Sequence, residues 1–292
     1  ELYYIDVVVL PSPHALSLSV DITQFLLGFA PVIHIFAGQT GCGRVRGPDS
    51  YSAGAPKGRR AEMKIAYSGV RLSEGKVRFE DPVVRALADK FSPKKVTPYW
   101  FELVGGDFES AEAIVLSRGS VLDLLIHDIE KVETRLERAE DEDERNILSA
   151  ALEALESEIP VCDMDLDDAA SAYMKHLGPL SLKPVLIVDS DHVDVQELIP
   201  FVLEKAGRMF FYTAGQQEVH AWLIDSGFDA QQCAGQIHTD LARGFVKAEI
   251  VSVEDMLQCH SMSDARKKGL SRLVDRDFVI PSGTVIEIRF NV

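Results

Sequence analysis

The sequence predicts an α/β protein, α+β over its whole length, and three observations carry that expectation. Apolar runs of strand length at 64–69, 99–104 and 181–189 are separated by segments with helix-start signals. From 121 to 159 apolar residues instead recur every three or four positions. Beyond residue 207 short strand-like runs return and continue to the last residues. With 292 residues, 46% of them hydrophobic, the chain holds one large core or two modest ones, and two domains are expected.

Residues 1–62 contain no methionine, and Met63 opens M-K-I-A-Y-S-G-V, which reads as a first strand. Residues 1–62 are therefore expected to be an N-terminal extension that is not native, or one without order between 38 and 60, where Gly, Pro and Ser dominate. Gly58-Arg59-Arg60-Ala61-Glu62 is a string that a purine-rich ribosome-binding site would encode. The uncharged stretch 22–43 is interrupted by Gln24, Pro31, His34 and several glycines, so it is not read as a membrane span. It also lacks the basic start and small-residue cleavage pattern of a signal peptide.

Residues 76–79 read as a second strand. Asp81-Pro82 then marks a helix start, with Pro at the first helical position and Val83, Val84, Leu87 and Phe91 on one side. The strand at 99–104 stops at Gly105-Gly106, and 113–116 adds another. Over 120–159 the spacing predicts an antiparallel helical hairpin. Leu122, Leu125, Ile129, Val132 and Leu136 form one stripe, and Leu148, Leu152, Leu155 and Ile159 the other, on either side of a charged turn at 140–144. Asp163, Asp165, Asp167 and Asp168 read as a capping cluster before a helix at 169–176. A strand at 181–189 and a helix at 195–203 follow. Past Gly207 come strands at 209–213 and 218–224, helical turns at 231–241, a strand at 246–251, a helix from Val253 and closing strands at 285–290.

The stretches F-Y-T-A-G-Q-Q-E-V-H-A-W from Phe211, G-Q-I-H-T-D-L-A-R-G-F-V-K-A-E-I-V-S-V-E-D-M-L from Gly235 and D-F-V-I-P-S-G-T-V-I-E-I-R-F-N-V from Asp277 occupy about the last eighty residues. They resemble the C-terminal TGS-type β-grasp domain of the Obg-like ATPase (YchF) family. The start at Met63 is similar to that family's first strand. D-P-V-V-R-A-L-A-D-K-F-S-P-K-K-V-T-P-Y-W-F-E-L-V, from Asp81, resembles its segment between the two switch regions, and 120–159 resembles its coiled-coil arm. The resemblance implies a reduced P-loop-NTPase-like α/β domain at 63–206 with the hairpin inserted at 120–159, followed by a TGS-like β-grasp domain at 207–292.

The phosphate-binding parts of such an ATPase are not legible. A P-loop needs G-x-x-x-x-G-K-[ST], because successive backbone N–H groups wrap the phosphates, the Lys reaches the outer ones and the hydroxyl holds Mg²⁺. The nearest stretch, from Gly69 to Val77, is one residue too long and offers Val77 in place of the hydroxyl. Residues 78–82 cannot continue a helix from Lys76, so no helix N-terminus is expected to face a phosphate. Where the family has D-x-A-G this chain has Val104-Gly105-Gly106-Asp107. Where the family carries a base-reading Asn, this chain has Ser190, which lacks the paired donor and acceptor of an amide. The expectation is a non-catalytic, cytoplasmic family member with no catalytic or metal residue and no cofactor. It would bind the ribosome, RNA or a translation-associated protein. The alternative is an ATP- or GTP-binding enzyme, with Mg, whose site is rebuilt around Gly75 and Lys76 with Lys94 and Lys95. A third reading is a sensor whose β-grasp domain binds a small ligand.

Charge narrows the partners. The formal net charge of −16 argues against a general polyanion-binding surface, and no DNA specificity or membrane association is expected. The acidity is local, however. Residues 63–98 carry eight Lys/Arg against four Asp/Glu, 99–206 eight against twenty-six, and 207–292 nine against eleven. The acidic arm reads as a solvated surface or as a protein contact. In the last segment Arg266, Lys267, Lys268, Arg272 and Arg276 form a basic run. TGS-type domains elsewhere contact RNA, so by resemblance this run is the candidate RNA- or partner-binding site, a solvated patch being the plainer reading. Four widely spaced cysteines without a C-x-x-C fit a reducing setting. Cys233, His238, Cys259 and His260 match no zinc-finger spacing. His220 and His238 are expected to be structural hydrogen-bonders.

Overall fold

The computed structural model describes residues 62–291. The expectations for residues 1–61, including the uncharged stretch at 22–43, lie outside the described residues. In chain order the elements are β1 (Met63–Ser68), β2 (Gly75–Arg78), α1 (Pro82–Phe91), β3 (Lys95–Thr97), β4 (Trp100–Gly105), β5 (Ala113–Ser117), α2 (Val121–Leu136), α3 (Glu142–Glu156), α4 (Asp168–Leu177), β6 (Val185–Val188) and α5 (Val195–Lys205). They continue with β7 (Arg208–Ala214), β8 (Glu218–Asp225), α6 (Ala230–Ile237), α7 (Thr239–Arg243), β9 (Phe245–Ser252), α8 (Val253–Leu257), α9 (Met262–Lys267), β10 (Arg272–Val274) and β11 (Thr284–Phe290). The fold is mixed α/β. The short elements β3, α9 and β10 have too few residues to show a period and were not legible.

The first sheet has the order β2-β4-β1-β5-β6, with β4, β1, β5 and β6 parallel and β2 antiparallel on the edge. Parallel strands ordinarily need a crossover of a dozen or more residues. Here residues 106–112 alone join β4 to β5 across β1. The register makes this possible. Ile65 of β1 pairs with both Leu103 of β4 and Ala113 of β5, so the segment retreats only part of a strand length. It is pinned to β1 at both ends, Gly106 N donating to Tyr67 O at 3.0 Å and Glu112 N to Lys64 O at 2.9 Å. Phe108 and Ala111 on it are buried.

α1 begins as its sequence predicts. The Asp81 carboxylate accepts from Val83 N at 2.8 Å, Pro82 occupies the first turn and Ser92 ends the helix in a left-handed conformation at φ 44°. In the arm, the expected stripe of α2 faces inward from Leu125 on, with Ile129 and Leu136 packed beside buried Leu125 and Val132, and only its first member, Leu122, does not. Val121, Leu124, Leu125, Asp128 and Val132 are buried, whereas Leu122 is 53% exposed. Apolar residues surround the first turns of α2, so spacing alone does not settle Leu122. The Asp128 carboxylate, buried beside the stripe, accepts from Leu180 N and Ser181 N, both at 2.7 Å. Ile159 is likewise exposed, and the charged turn falls at 137–141, because Asp141 caps α3 through Glu144 N. Asp167 caps α4, accepting from Ala170 N at 2.7 Å. The expected strand at 181–189 starts late: residues 180–182 form a 3-10 turn and pairing begins at Val185.

The second sheet has the order β10-β9-β11-β7-β8-β3. Its edge strand β3 is a three-residue piece between Pro93 and Pro98, parallel to β8. The flanking prolines, which lack N–H donors, keep it short. α2, α3 and α4 pack on one face of the first sheet. The opposite face shares a core with α1, α5, α8 and the second sheet, in which Phe79 stacks on Phe210 at 5.9 Å and meets Phe101 edge-on at 6.1 Å. α6 and α7 pack on the far face of the second sheet. Among the described residues no helix is long and apolar enough to cross a membrane.

Candidate functional site

In open parallel sheets ligands sit at the carboxyl ends of the strands, where the chain reverses direction between neighbours. Here those ends are Tyr67–Ser68–Gly69 of β1, Gly105–Gly106 of β4, Ser117–Arg118 of β5 and Asp189 after β6. Residues 69–74 lead from β1 directly into the edge strand β2. Gly69 has φ +68° and sits so close to β5 and α2 that a Cβ there would lie 2.1 Å from Ser117 Oγ and 2.2 Å from Ser120 Oγ. The loop is tied down by Arg71, whose Nε lies 2.9 Å from Asp191 Oδ2, and by Tyr67 OH donating to Leu72 O at 3.0 Å. Burial, and then the Glu74 carboxylate, raise the Tyr67 hydroxyl above its ordinary value.

The charges at this end are mostly negative. Glu74 accepts from Gly105 N at 2.9 Å, Asp123 accepts from Ser68 Oγ at 2.8 Å, and Asp189 holds Arg118 Nε at 2.9 Å. A pocket of 430 Å³ beside β4 has Glu74, Glu102 and Asp107 on its wall. The Asp107 carboxyl is lowered chiefly by the Ser110 hydroxyl, so it stays ionised. Gly75 and Lys76 open β2 rather than a helix, and Lys76 Nζ lies 2.7 Å from Glu62 Oε2. Lys95 lies in the other sheet, 2.7 Å from Glu218 Oε1. The structure therefore brings Lys76 and Lys95 to different carboxylates on different sheets. This end, with its acidic wall, its paired cations and no helix N-terminus following β1, does not fit a Mg-bound triphosphate.

The basic run of the C-terminal part divides into three. Arg266 leaves α9 to grip Glu249 of β9: its Nε lies 2.9 Å from Oε1 and its Nη2 contacts Oε2. Ser271 Oγ at 2.7 Å and Arg289 Nη2 at 2.8 Å complete the cage, and Glu249 is 1% exposed. These donors, Arg266 foremost, hold the Glu249 carboxyl at about 2. Lys268 is tethered to Asp264 at 3.0 Å and to Gln258 O at 2.9 Å, and the Arg272 guanidinium lies 4.7 Å from the centre of the Phe278 ring. Lys267 and Arg276 have side chains without an acidic partner among the described residues and are the two free cations of the run. Arg289 and Glu249 were missed in sequence; the alternation of E-I-V in β9 against E-I-R in β11 was the available signal.

The histidines are held locally. His238 Nδ1 accepts from Asp240 N at 3.2 Å at the start of α7, and the His220 ring stacks on Trp222 at 3.7 Å. Burial lowers the His220 imidazole below its ordinary value. Cys233 and Cys259 are buried, and among the described residues no three His, Cys, Asp or Glu side chains gather as a metal site.

Residues 209–291 match the family described as YchF-GTPase_C, protein of unknown function (DUF933). The "Ribosome-binding ATPase YchF" of Bacillus subtilis (strain 168) is 30% identical over 237 residues, covering 59% of this chain and 65% of the relative. The protein of the same name from Mycoplasma genitalium is 43% identical over 82 residues, covering 28% of this chain and 22% of its own. The chain thus spans less than two thirds of the length of these relatives. The structure of the Schizosaccharomyces pombe YchF GTPase superposes with a TM-score of 0.63 at 17% identity, covering 80% of this chain and 99% of that one, which is a likeness of fold. Residues 209–291 thus match the C-terminal domain of the YchF family, and the similarity to the Bacillus subtilis relative extends ahead of them.

Proposed function

We propose that this chain is a ribosome-associated member of the Obg-like ATPase (YchF) family that does not hydrolyse nucleotide, acting in the cytoplasm through its TGS-like domain and its arm. The observation that carries the first half is the path of residues 69–74, which run from β1 into an edge strand where a phosphate site needs a helix N-terminus. The association with the ribosome, with RNA or with a translation-associated protein is supported by the names its relatives bear and by the two free cations Lys267 and Arg276. A phosphate-driven contact of this kind weakens as salt rises.

Calorimetric titration with Mg-ATP and Mg-GTP is expected to give no binding heat. Micromolar binding that Lys76→Ala abolishes would overturn the reading. Co-sedimentation with ribosomes at low salt is expected, lost as salt increases and weakened severalfold by the double change Lys267→Ala, Arg276→Ala. The second reading, a nucleotide-binding ATPase with Mg at a rebuilt site near Gly75 and Lys76, is favoured by the name ATPase that the relatives bear. The pairing of Lys76 with Glu62 weighs against it.

A further inference from the structure

Among the described residues, one half of a face of the first sheet is left uncovered. The 106–112 segment and α2 cover β5, β6 and the carboxyl-terminal half of β1. The rest of that face, on β1, β4 and the edge strand β2, carries Lys64, Trp100, Glu102, Lys76 and Arg78. Their register fixes the arrangement: Lys64 lies beside Glu102, Glu102 beside Lys76, and Trp100 beside Arg78. Trp100 is 42% exposed, in contrast to its neighbour Phe101, which points the other way and is fully buried. Lys76 pairs with Glu62, and Lys64 lies 3.9 Å from Glu102. The Arg78 guanidinium has no acidic partner among the described residues. In a chain of net charge −16 the three cations of this face come from the one segment that is basic overall, and they stand against Glu62 and Glu102, with Glu74 and Asp107 beside β4.

We propose that this uncovered face binds single-stranded RNA, with a base stacked on the Trp100 indole and the flanking phosphates met by Arg78, Lys76 and Lys64. The proposal rests on the ribosome-associated reading above and names a second contact surface, apart from the basic run of the C-terminal part. Neighbouring strands lie about 4.8 Å apart, so the ring and the Arg78 side chain stand side by side on a flat surface. An aromatic ring with cations beside it takes any base by its π-face and any phosphate by charge, the pattern by which sheets bind unpaired strands. A protein partner would ask for contiguous apolar surface. Trp100 instead has Arg78 beside it on β2 and Glu102 next on the same face of β4.

The chain contains two tryptophans, and Trp222 is stacked between His220 and Phe211, so indole quenching reports on Trp100. Titrating the full chain with a mixed-sequence single-stranded RNA dodecamer at low salt is expected to quench its fluorescence. W100A is expected to bind the RNA about tenfold more weakly, as for the loss of one stacked base. W100F, which keeps a ring, is expected to stay within about threefold of wild type while losing the quench. R78A is expected to weaken binding severalfold and to flatten its salt dependence. Wild-type affinity in W100A, or a wild-type chain that neither binds RNA nor is quenched, overturns the proposal. If W100A and R78A still co-sediment with ribosomes as wild type does, this face falls while the ribosome-associated reading stands. If the Lys267→Ala, Arg276→Ala chain loses ribosomes but keeps the quench, this face stands by itself.

Discussion

Glu249 shows how a charged side chain can belong to the interior. Two guanidiniums and a hydroxyl surround its carboxylate, and they also screen it from water. Its folded value of about 2 lies below the ordinary 4.5. The stability it contributes is therefore complete above about pH 4.5 and is lost as pH falls toward 2. Glu249→Gln is expected to cost about 2 kcal/mol at neutral pH, the scale of hydrogen bonds to a charged group. It should also flatten the dependence of the melting temperature on pH below 4.5. A wild-type melting curve in this variant would mean that the cage contributes nothing. Arg266 was legible as part of a basic run, because a run is a property of sequence. Its engagement by Glu249 was not, because the partner lies on a strand 17 residues away.

Among the elements, α2 makes the sharpest contrast between what periodicity supplies and what it leaves open. Its length, its partner helix and the strands before and after it were legible from apolar spacing. The burial of Asp128 beside its apolar stripe was not legible, because its carboxylate accepts from the N–H groups of Leu180 and Ser181, more than fifty residues on. Leu124→Ala is accordingly expected to destabilise by about 2–5 kcal/mol, as for other buried leucines, while Leu122→Ala stays within about 0.5 kcal/mol. Equal losses in chemical denaturation would contradict the observed rotation. That no helix continues from Lys76 was legible for the opposite reason: it depends on consecutive residues, Arg78 to Pro82, and the structure has β2 there. The candidate RNA face was not legible, since it is assembled from three strands by their register.

For the molecule as a whole, the decisive feature is the core shared by the two sheets, with Phe79, Phe101 and Phe210 at its centre. The boundary expected at 206/207 runs through that core. Residues 62–291 are therefore expected to unfold in one transition, followed alike by circular dichroism and, in a W100F chain, by Trp222 fluorescence. Phe79→Ala is expected to shift both signals together, by about 3–5 kcal/mol. A Trp222 midpoint that stays put when Phe79 is changed would mean that the second sheet stands alone.

The edge strand β3 sets a timetable for synthesis. Lys95 and its partner Glu218 are 123 residues apart, so β3 leaves the ribosome long before the strand it must join. At ordinary elongation rates that interval is roughly 6–25 s. During it the nascent chain carries P-K-K-V-T-P as an unpaired strand, and its prolines and lysines are the residues that discourage a wrong partner in the meantime.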